Sequence, residues 1–244
     1  MERSHELREL DMPNPDERYR MAVCASCGLK SSHPMPGAEE LREWYGATIP
    51  PFVPRLARLR KVLNWFHDRH MVALLARFAP AGTLVDVGAG RGRFLRAARR
   101  EGRWMMMATE YSAEALAILK AEGIHAVPGT LDELGLDEES VDAVWASHVI
   151  EHLPDPESFF SSVRRVLKPE GVLVALVPTQ TSMRARLNLT NWHHVNPPGH
   201  LWSFNPDTFR KTLESAGFEL LHIEVEHLIC EMVCVVRKRT SIPR

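Results

Sequence analysis

The chain has 244 residues, of which 45% are hydrophobic and 25% are charged, an ordinary balance for a folded globular protein. Its 30 Lys and Arg residues nearly cancel its 31 Asp and Glu residues, and the resulting net charge of −1 gives no general attraction to nucleic acid or to an anionic membrane. Because the charged N-terminus resembles no secretory signal and no apolar run is long enough to span a bilayer, we expect a cytoplasmic protein.

Residues 1–54 are expected to form a small N-terminal appendage. They contain a single Cys-x-x-Cys motif, Cys24 and Cys27, whereas a structural zinc site normally requires four ligands. His33 is a conceivable third ligand, so zinc binding stays open as an alternative, and no metal is assigned. A short, flap-like helix is predicted at 39–45, before a proline-rich linker.

From residue 55 onward, the sequence predicts an α/β domain. Apolar residues at helical spacing predict one or two helices between Leu56 and Phe78, and after them apolar runs alternate with helical patterns, as in a parallel sheet covered by helices. The arginines along the first of these later helices are predicted to form its solvated face rather than a nucleic-acid patch. Strands are predicted at 83–87, 104–109, 124–127, 141–146 and 172–177, and two closing antiparallel strands at 218–224 and 227–236.

A glycine-rich turn follows the first of these strands. The apolar run Leu84–Val87 leads directly into Gly88, Gly90 and Gly92. Glycine permits left-handed backbone angles and lets a ligand approach the main chain closely, and the N-terminus of the next helix offers free N–H groups. The pattern predicts a nucleotide-type cofactor site, although the third glycine of a dinucleotide fingerprint would fall at Arg93.

Glu110 closes the second predicted strand, about 20 residues beyond the turn, where a carboxylate can accept hydrogen bonds from ribose hydroxyls. The alternative is a surface acid at a strand end. Several classes of nucleotide-cofactor enzyme use an acid at this position, so Glu110 does not indicate which cofactor the site binds.

Two stretches together resemble a known family. The motif Asp86-x-Gly88-x-Gly90-x-Gly92 resembles the first motif of the Rossmann-like, class I S-adenosylmethionine-dependent methyltransferases, in which an acid suits a cofactor that carries a sulfonium and an ammonium. The segment 147–156, with residues 163–171 after it, closely resembles the small-molecule members, which include ubiquinone, menaquinone and sugar methyltransferases. This resemblance covers most of the chain after the appendage.

The resemblance implies a seven-stranded, mostly parallel α/β sheet in the order 3-2-1-4-5-7-6, with the last strand antiparallel and helices on both faces. The methyltransferase domain would span residues 55–244 and carry a substrate-side insert at 179–204. S-adenosyl-L-methionine is the implied cofactor, and S-adenosyl-L-homocysteine is the product. The residues expected to bind the cofactor are Asp86, Gly88, Ala89, Gly90, Glu110, Tyr111, Thr130, Leu131, Ser147 and His148.

One position departs from the family pattern. Similar enzymes often carry an aspartate that binds the adenine amino group where this chain has Thr130. The backbone of Leu131 or the side chain of Asp132 is then expected to make that contact.

Methyl transfer from a sulfonium is an in-line displacement, so the protein has to align the acceptor and take a proton from an OH or an acidic CH. Histidine suits this role near neutral pH. His148 is expected nearest the methyl group, and His193 and His194 on the insert that walls the acceptor pocket.

The expected acceptor class rests on motifs that the chain lacks after its fourth strand or, for the last of the three, at the ends of its fourth and fifth strands. These are the Asn/Asp-Pro-Pro-Tyr of amino-methylating nucleic-acid enzymes, the Pro-Cys of cytosine-C5 enzymes and the carboxylates of metal-dependent catechol enzymes. We therefore expect a small-molecule or sugar-type acceptor, methylated without a metal. An NAD(P)-dependent oxidoreductase and a non-catalytic S-adenosylmethionine-binding partner protein stay as alternatives.

Overall fold

The computed structural model describes residues 7–9, 18–37, 39–41, 57–179, 181, 199–226 and 231–239. His193 and His194, together with most of the predicted insert, lie outside the described residues. The described residues therefore include strands of the predicted sheet and part of the appendage.

The described strands and helices follow the predicted alternation. The strands are β1 (Leu7–Glu9), β2 (Arg20–Cys24), β3 (Lys30–His33), β4 (Gly82–Val87), β5 (Trp104–Thr109), β6 (His125–Val127), β7 (Val141–Ser147), β8 (Leu167–Pro178), β9 (Trp202–Ser203), β10 (Phe218–Glu226) and β11 (Glu231–Lys238). The helices are α1 (Ala57–Phe78), α2 (Arg93–Arg99), α3 (Ala113–Ala121), α4 (Pro156–Val166) and α5 (Pro206–Ser215), with 3₁₀ turns at Leu131–Leu134 and Ile150–His152. None of the described helices is long and apolar enough to cross a membrane.

Seven strands form the central sheet, in the order β6-β5-β4-β7-β8-β11-β10. The strands from β6 to β8 pair in parallel, whereas β11 is antiparallel to both β8 and β10. Numbered along the chain from β4, this is the predicted order 3-2-1-4-5-7-6 with an antiparallel last strand. The predicted fold class is confirmed.

Helices cover both faces of this sheet, which explains why its central strands are apolar on both sides. On one face, α1, α2 and α3 bury a layer that includes Leu75, Leu95 and Leu119. On the other face, α4 and α5 bury a second layer that includes Phe160 and Phe209. The first layer also contains a stacked pair, Phe94 on α2 and Trp145 on β7, whose ring centroids are 3.7 Å apart.

The structure extends β8 beyond the predicted strand. It begins at Leu167 rather than at residue 172, because Leu167 pairs with Val141 before the register shifts and Val172 comes to lie opposite Ala143. The irregular stretch between these pairs contains Pro169, which lacks the N–H that a regular ladder would use. Local sequence patterns do not reveal such a bulge.

The smaller sheet is antiparallel and joins the N-terminal region to the domain. Its strand order is β1-β2-β3-β9, so its fourth strand comes from the predicted 179–204 insert. Two hydrogen bonds connect β9 and its preceding residue to the turn after β7: Trp202 Nε1 donates to Leu153 O (2.7 Å), and Leu201 N donates to Glu151 O (2.8 Å). The small sheet therefore docks beside the Ile150–His152 turn, and the domain boundary after residue 54 stays a prediction.

The stacked pair offers a matched test of the buried layer. Phe94 is 8% exposed and Phe66 on α1 is 60% exposed, so we expect Phe94→Ala to lower the free energy of unfolding by about 3–5 kcal/mol and Phe66→Ala by less than about 0.5 kcal/mol. Denaturant unfolding followed by circular dichroism measures both values. Equal losses in the two variants would contradict this packing.

Candidate active site

The polar residues predicted to bind a cofactor meet at one edge of the central sheet. Asp86 lies near the end of β4, Glu110 directly follows β5, and Ser147 ends β7. Because these three strands are adjacent and parallel, their carboxyl ends lie side by side. Ligands of open α/β sheets bind outside this edge.

The glycine turn closes over this edge with left-handed backbone angles. The φ values are 66° at Gly88, 54° at Gly90 and 76° at Gly92. A Cβ on Gly88 would lie 2.8 Å from Val149 Cγ2, so a side chain there would clash with the turn after β7. A Cβ on Gly90 would meet no atom within 4 Å. The turn therefore packs tightly at Gly88 but leaves open space at Gly90, where a ligand can approach the main chain.

Glu110 holds the glycine turn and the next helix together. Its Oε2 accepts a hydrogen bond from Gly90 N (2.7 Å), and its Oε1 accepts one from Ser112 N (2.8 Å). A carboxylate has about four acceptor positions, so the side chain retains capacity for ribose hydroxyls. Two neighbouring residues were also predicted to contact the cofactor. Ala89 N donates a hydrogen bond to Thr109 O (3.1 Å), whereas Tyr111 is 74% exposed.

Asp86 is the second, deeply buried acid of the site. It is 3% exposed, and burial together with the nearby charge of Glu110 raises its pKa well above the usual value for an aspartate. A cationic ligand beside Asp86 would favour the ionised form of the carboxyl group. The pair of acids thus fits the sulfonium and ammonium of S-adenosylmethionine, and suits a pyrophosphate poorly.

Hydrogen bonds in the segment after β6 indicate which residue is free to contact the adenine ring. Thr130 Oγ1 donates a hydrogen bond to Glu133 Oε2 (2.5 Å). The carboxylate of Asp132 accepts hydrogen bonds from two side chains of α4, at 2.7 and 3.2 Å. Both side chains are therefore engaged within the protein, which favours the main chain at Leu131 over Asp132 for the adenine contact.

His148 lies between two carboxylates. Its Nδ1 is 3.0 Å from Glu151 Oε1, and its Nε2 is 2.8 Å from Glu231 Oε1. The backbone is also constrained, because His148 has a φ of 54° and its N–H donates to Leu176 O (2.9 Å). These contacts fix the imidazole ring at the end of β7.

The protonation state of His148 follows from those contacts. Burial lowers its pKa, but the hydrogen bonds and charges of Glu151 and Glu231 outweigh burial and raise the pKa to about 10. The ring is therefore an imidazolium at neutral pH and has no free lone pair with which to take a proton. This arrangement differs from the neutral base that the sequence suggested.

Sequence reasoning missed both acids that hold His148. Glu151 is fully buried, and its Oε2 has no hydrogen-bond partner among the described residues. Glu151 lies in the recognised 147–156 stretch, so its position was a usable signal. Glu231 gave no comparable signal in the sequence. It is the first residue of β11, and only the antiparallel pairing of β11 with β8 brings it to the carboxyl edge of the parallel strands.

One cavity is lined by none of the residues that meet at this edge. It has a volume of about 690 Å³ and is bounded by α1 and α2. Its lining includes the exposed arginines Arg69, Arg77, Arg93, Arg96, Arg100 and Arg103. The prediction that the arginines of α2 are solvated is confirmed, and several of them pair with acids, such as Arg93 with Asp68 (3.1 Å).

The Cys-x-x-Cys motif forms the turn between β2 and β3. Cys24 Sγ is 3.1 Å from Ser26 Oγ, and this hydrogen bond, opposed by burial and assisted by hydrogen bonds from Cys27, lowers the pKa of the Cys24 thiol to about 6. Within the described ranges, no third His, Cys, Asp or Glu ligand lies close to the two thiols. Zinc binding here stays an open alternative.

Comparisons with known proteins agree with this geometry. A family model described as a methyltransferase domain matches residues 57–223, more than half of the chain. A probable S-adenosylmethionine-dependent methyltransferase of Mycolicibacterium smegmatis is 31% identical over 165 residues, covering 64% of this chain and 60% of that protein. The ubiquinone biosynthesis O-methyltransferase of Haemophilus ducreyi is 32% identical over 101 residues, covering 37% of this chain and 42% of that protein.

A solved structure shares the fold across nearly the whole chain. The 1,6-didemethyltoxoflavin-N1-methyltransferase of Burkholderia thailandensis, with 1,6-didemethyltoxoflavin and S-adenosylhomocysteine bound, aligns with a TM-score of 0.59 at 17% identity. The alignment covers 94% of this chain and 99% of that chain.

The matches cover only part of the length of the mycobacterial relatives. The chain spans 56–60% of the length of the mycobacterial relatives it matches. The family match confirms the expected cofactor, S-adenosyl-L-methionine, and disfavours the nicotinamide-dependent oxidoreductase. The chain belongs to the methyltransferase-domain family, with the Rossmann-like fold of S-adenosylmethionine-dependent methyltransferases.

Proposed function

We propose that this protein transfers the methyl group of S-adenosylmethionine to a small-molecule or sugar-type acceptor by in-line displacement, without a metal in the reaction. The observation that carries the proposal is the pair of acids, Asp86 and Glu110, that flanks the glycine turn at the ends of adjacent parallel strands. The likeness to proteins named as ubiquinone biosynthesis O-methyltransferases supports a small-molecule acceptor.

Different residues at the strand ends would bind different parts of the cofactor. Asp86 and the main chain of the glycine turn would hold its amino-acid end, and Glu110 would accept hydrogen bonds from the ribose. Leu131 would bind adenine through its main chain, and Ser147 and His148 would close the site on the side of the acceptor. The cofactor supplies an activated methyl group, so the chain needs no covalent nucleophile and only has to align the acceptor.

His148 is proposed to act as a fixed positioning group rather than as the base. Its two ring nitrogens are held by Glu151 and Glu231 at 3.0 and 2.8 Å. Because both ring N–H groups donate to carboxylates, the ring cannot take the proton of the acceptor and instead fixes the two acids on the acceptor side of the site. The base is then His193 or His194, both of which lie outside the described residues.

Glu110 offers the first test of cofactor binding. Replacing it by Ala removes an acceptor for the ribose and the hydrogen bonds to Gly90 N and Ser112 N, so affinity for S-adenosylhomocysteine should fall by about 1–3 kcal/mol. Isothermal titration calorimetry measures the change. Glu138→Gln, at an exposed position, is the control and should bind as the parent does; equal affinity in Glu110→Ala would remove Glu110 from the site.

The charge on His148 can be titrated directly. In the parent protein its ring signals should move only near pH 10, because two carboxylates favour the protonated form. Glu231→Gln removes one of the two negative charges, so the midpoint should shift towards the ordinary histidine value of about 6.5. NMR measures the midpoint, and Glu219→Gln on β10 is the control. A midpoint that is the same in the Glu231 variant would refute the pairing.

The proposed base is tested by methyl transfer. With radiolabelled S-adenosylmethionine and a panel of phenols, quinols and hydroxylated sugars, His193→Gln or His194→Gln should lower kcat by about 10²–10⁴-fold. Affinity for S-adenosylhomocysteine should stay unchanged in the same variant, because a base for the acceptor does not bind the cofactor. His125→Gln on β6 is the control. If kcat is retained in both variants, neither histidine is the base.

A further inference from the structure

A second group of histidines and acids lies between α1 and β10, separate from the residues assigned to the cofactor. Successive side chains of a strand alternate between its faces, so His222, Glu224 and Glu226 share one face of β10. On α1, His67 and His70 are one turn apart and face this strand: His70 contacts Glu224, and His67 lies near Glu226. The packing of Phe78 against His222, with centroids 6.1 Å apart, confirms that the helix lies over the strand.

The donor atoms of this group are close enough to share one ion. His70, Glu224 and Glu226 each offer a ligand atom, and these atoms all lie within 4.8 Å of one another. His70 Nε2 is 3.2 Å and His222 Nε2 is 3.4 Å from the same oxygen, Glu224 Oε2. Ligands about 2.0–2.2 Å from a tetrahedral zinc ion lie about 3.4 Å from each other, so the two imidazole–carboxylate distances suit one ion, and the wider separation in the group would close around it.

A further donor borders the group. His67 Nδ1 is buried, makes no hydrogen bond among the described residues, and lies 3.9 Å from Glu226 Oε1. A small shift of this ring would add a second imidazole to the carboxylate of Glu226. The group therefore contains more potential ligands than a four-coordinate ion requires.

The chemistry of the donors selects the class of ion. Imidazole nitrogens suit zinc, cobalt and nickel, whereas calcium and magnesium prefer sites made of oxygen ligands alone. Two carboxylates among the ligands would balance the charge of a divalent cation. Zn²⁺ is commonly bound in proteins by this mixture of imidazole and carboxylate ligands.

We propose that His70, Glu224 and Glu226 form a binding site for a divalent first-row transition ion, with Zn²⁺ as its preferred occupant. The ion would connect α1 to the edge strand β10 and stabilise this side of the domain. Its three ligands are not residues proposed to hold the cofactor or the acceptor, and the group borders the acceptor side through His67, whose Nε2 lies 3.9 Å from Glu231 Oε2.

The test uses the full chain, stripped of metal and titrated with zinc chloride. The Cys24→Ser/Cys27→Ser variant serves as the background, so that the thiols cannot contribute. We expect one Zn²⁺ per chain by calorimetry and a rise in Tm on binding. His70→Ala and Glu224→Gln should each weaken binding at least tenfold and remove the rise in Tm, whereas His125→Ala, at another exposed histidine, should change neither value.

Cobalt provides an independent signature. Co²⁺ in this site should show visible d–d bands without the thiolate charge-transfer band of a cysteine site, and His70→Ala should lose the d–d bands. Circular dichroism verifies that each variant is folded. The proposal is overturned if the thiol-free background binds no Zn²⁺, or if its affinity for Zn²⁺ is the same with and without His70 and Glu224.

Discussion

The site depends on two acidic side chains held close together at the carboxyl edge of a parallel sheet. Asp86 is buried at the end of β4, and the charge of Glu110 adds to burial in raising its pKa. Glu110 in turn fixes the glycine turn through Gly90 N. An arrangement that concentrates two acids around an open stretch of backbone is matched by a ligand with positive charge and hydroxyl groups. S-adenosylmethionine has both, and the family match is consistent with this chemistry.

The same edge also carries a protonated imidazole on the acceptor side, held between two carboxylates. His148 follows β7, next to the strand of Asp86, and Glu151 and Glu231 keep it protonated. The small N-terminal sheet docks beside the turn that contains Glu151, because β9 and the residue before it donate hydrogen bonds to that turn. Through the pairing of β3 with β9, the appendage is therefore hydrogen-bonded to the segment that carries one of the two acids on His148.

Most of the fold, and the meeting of the predicted cofactor residues at one sheet edge, were accessible from sequence because their signals are local. Alternating strands and helices predicted the sheet, and Asp86, the glycines and Glu110 lie at strand ends that parallel pairing brings together. Glu231 was not accessible, since it lies 83 residues from His148 and meets it only through the antiparallel register of β11. The pairing of β3 with β9 was missed for the same reason, as no local pattern encodes which distant edges pair. The charge of His148 followed from those unseen partners.

Binding of S-adenosylmethionine at the acidic edge with its glycine turn is measured by calorimetric titration of the 244-residue chain with S-adenosylmethionine and, separately, with NADH at pH 7. We expect saturable binding of S-adenosylmethionine at one site per chain and no binding of NADH. Binding of NADH without binding of S-adenosylmethionine would show that this edge serves a different cofactor.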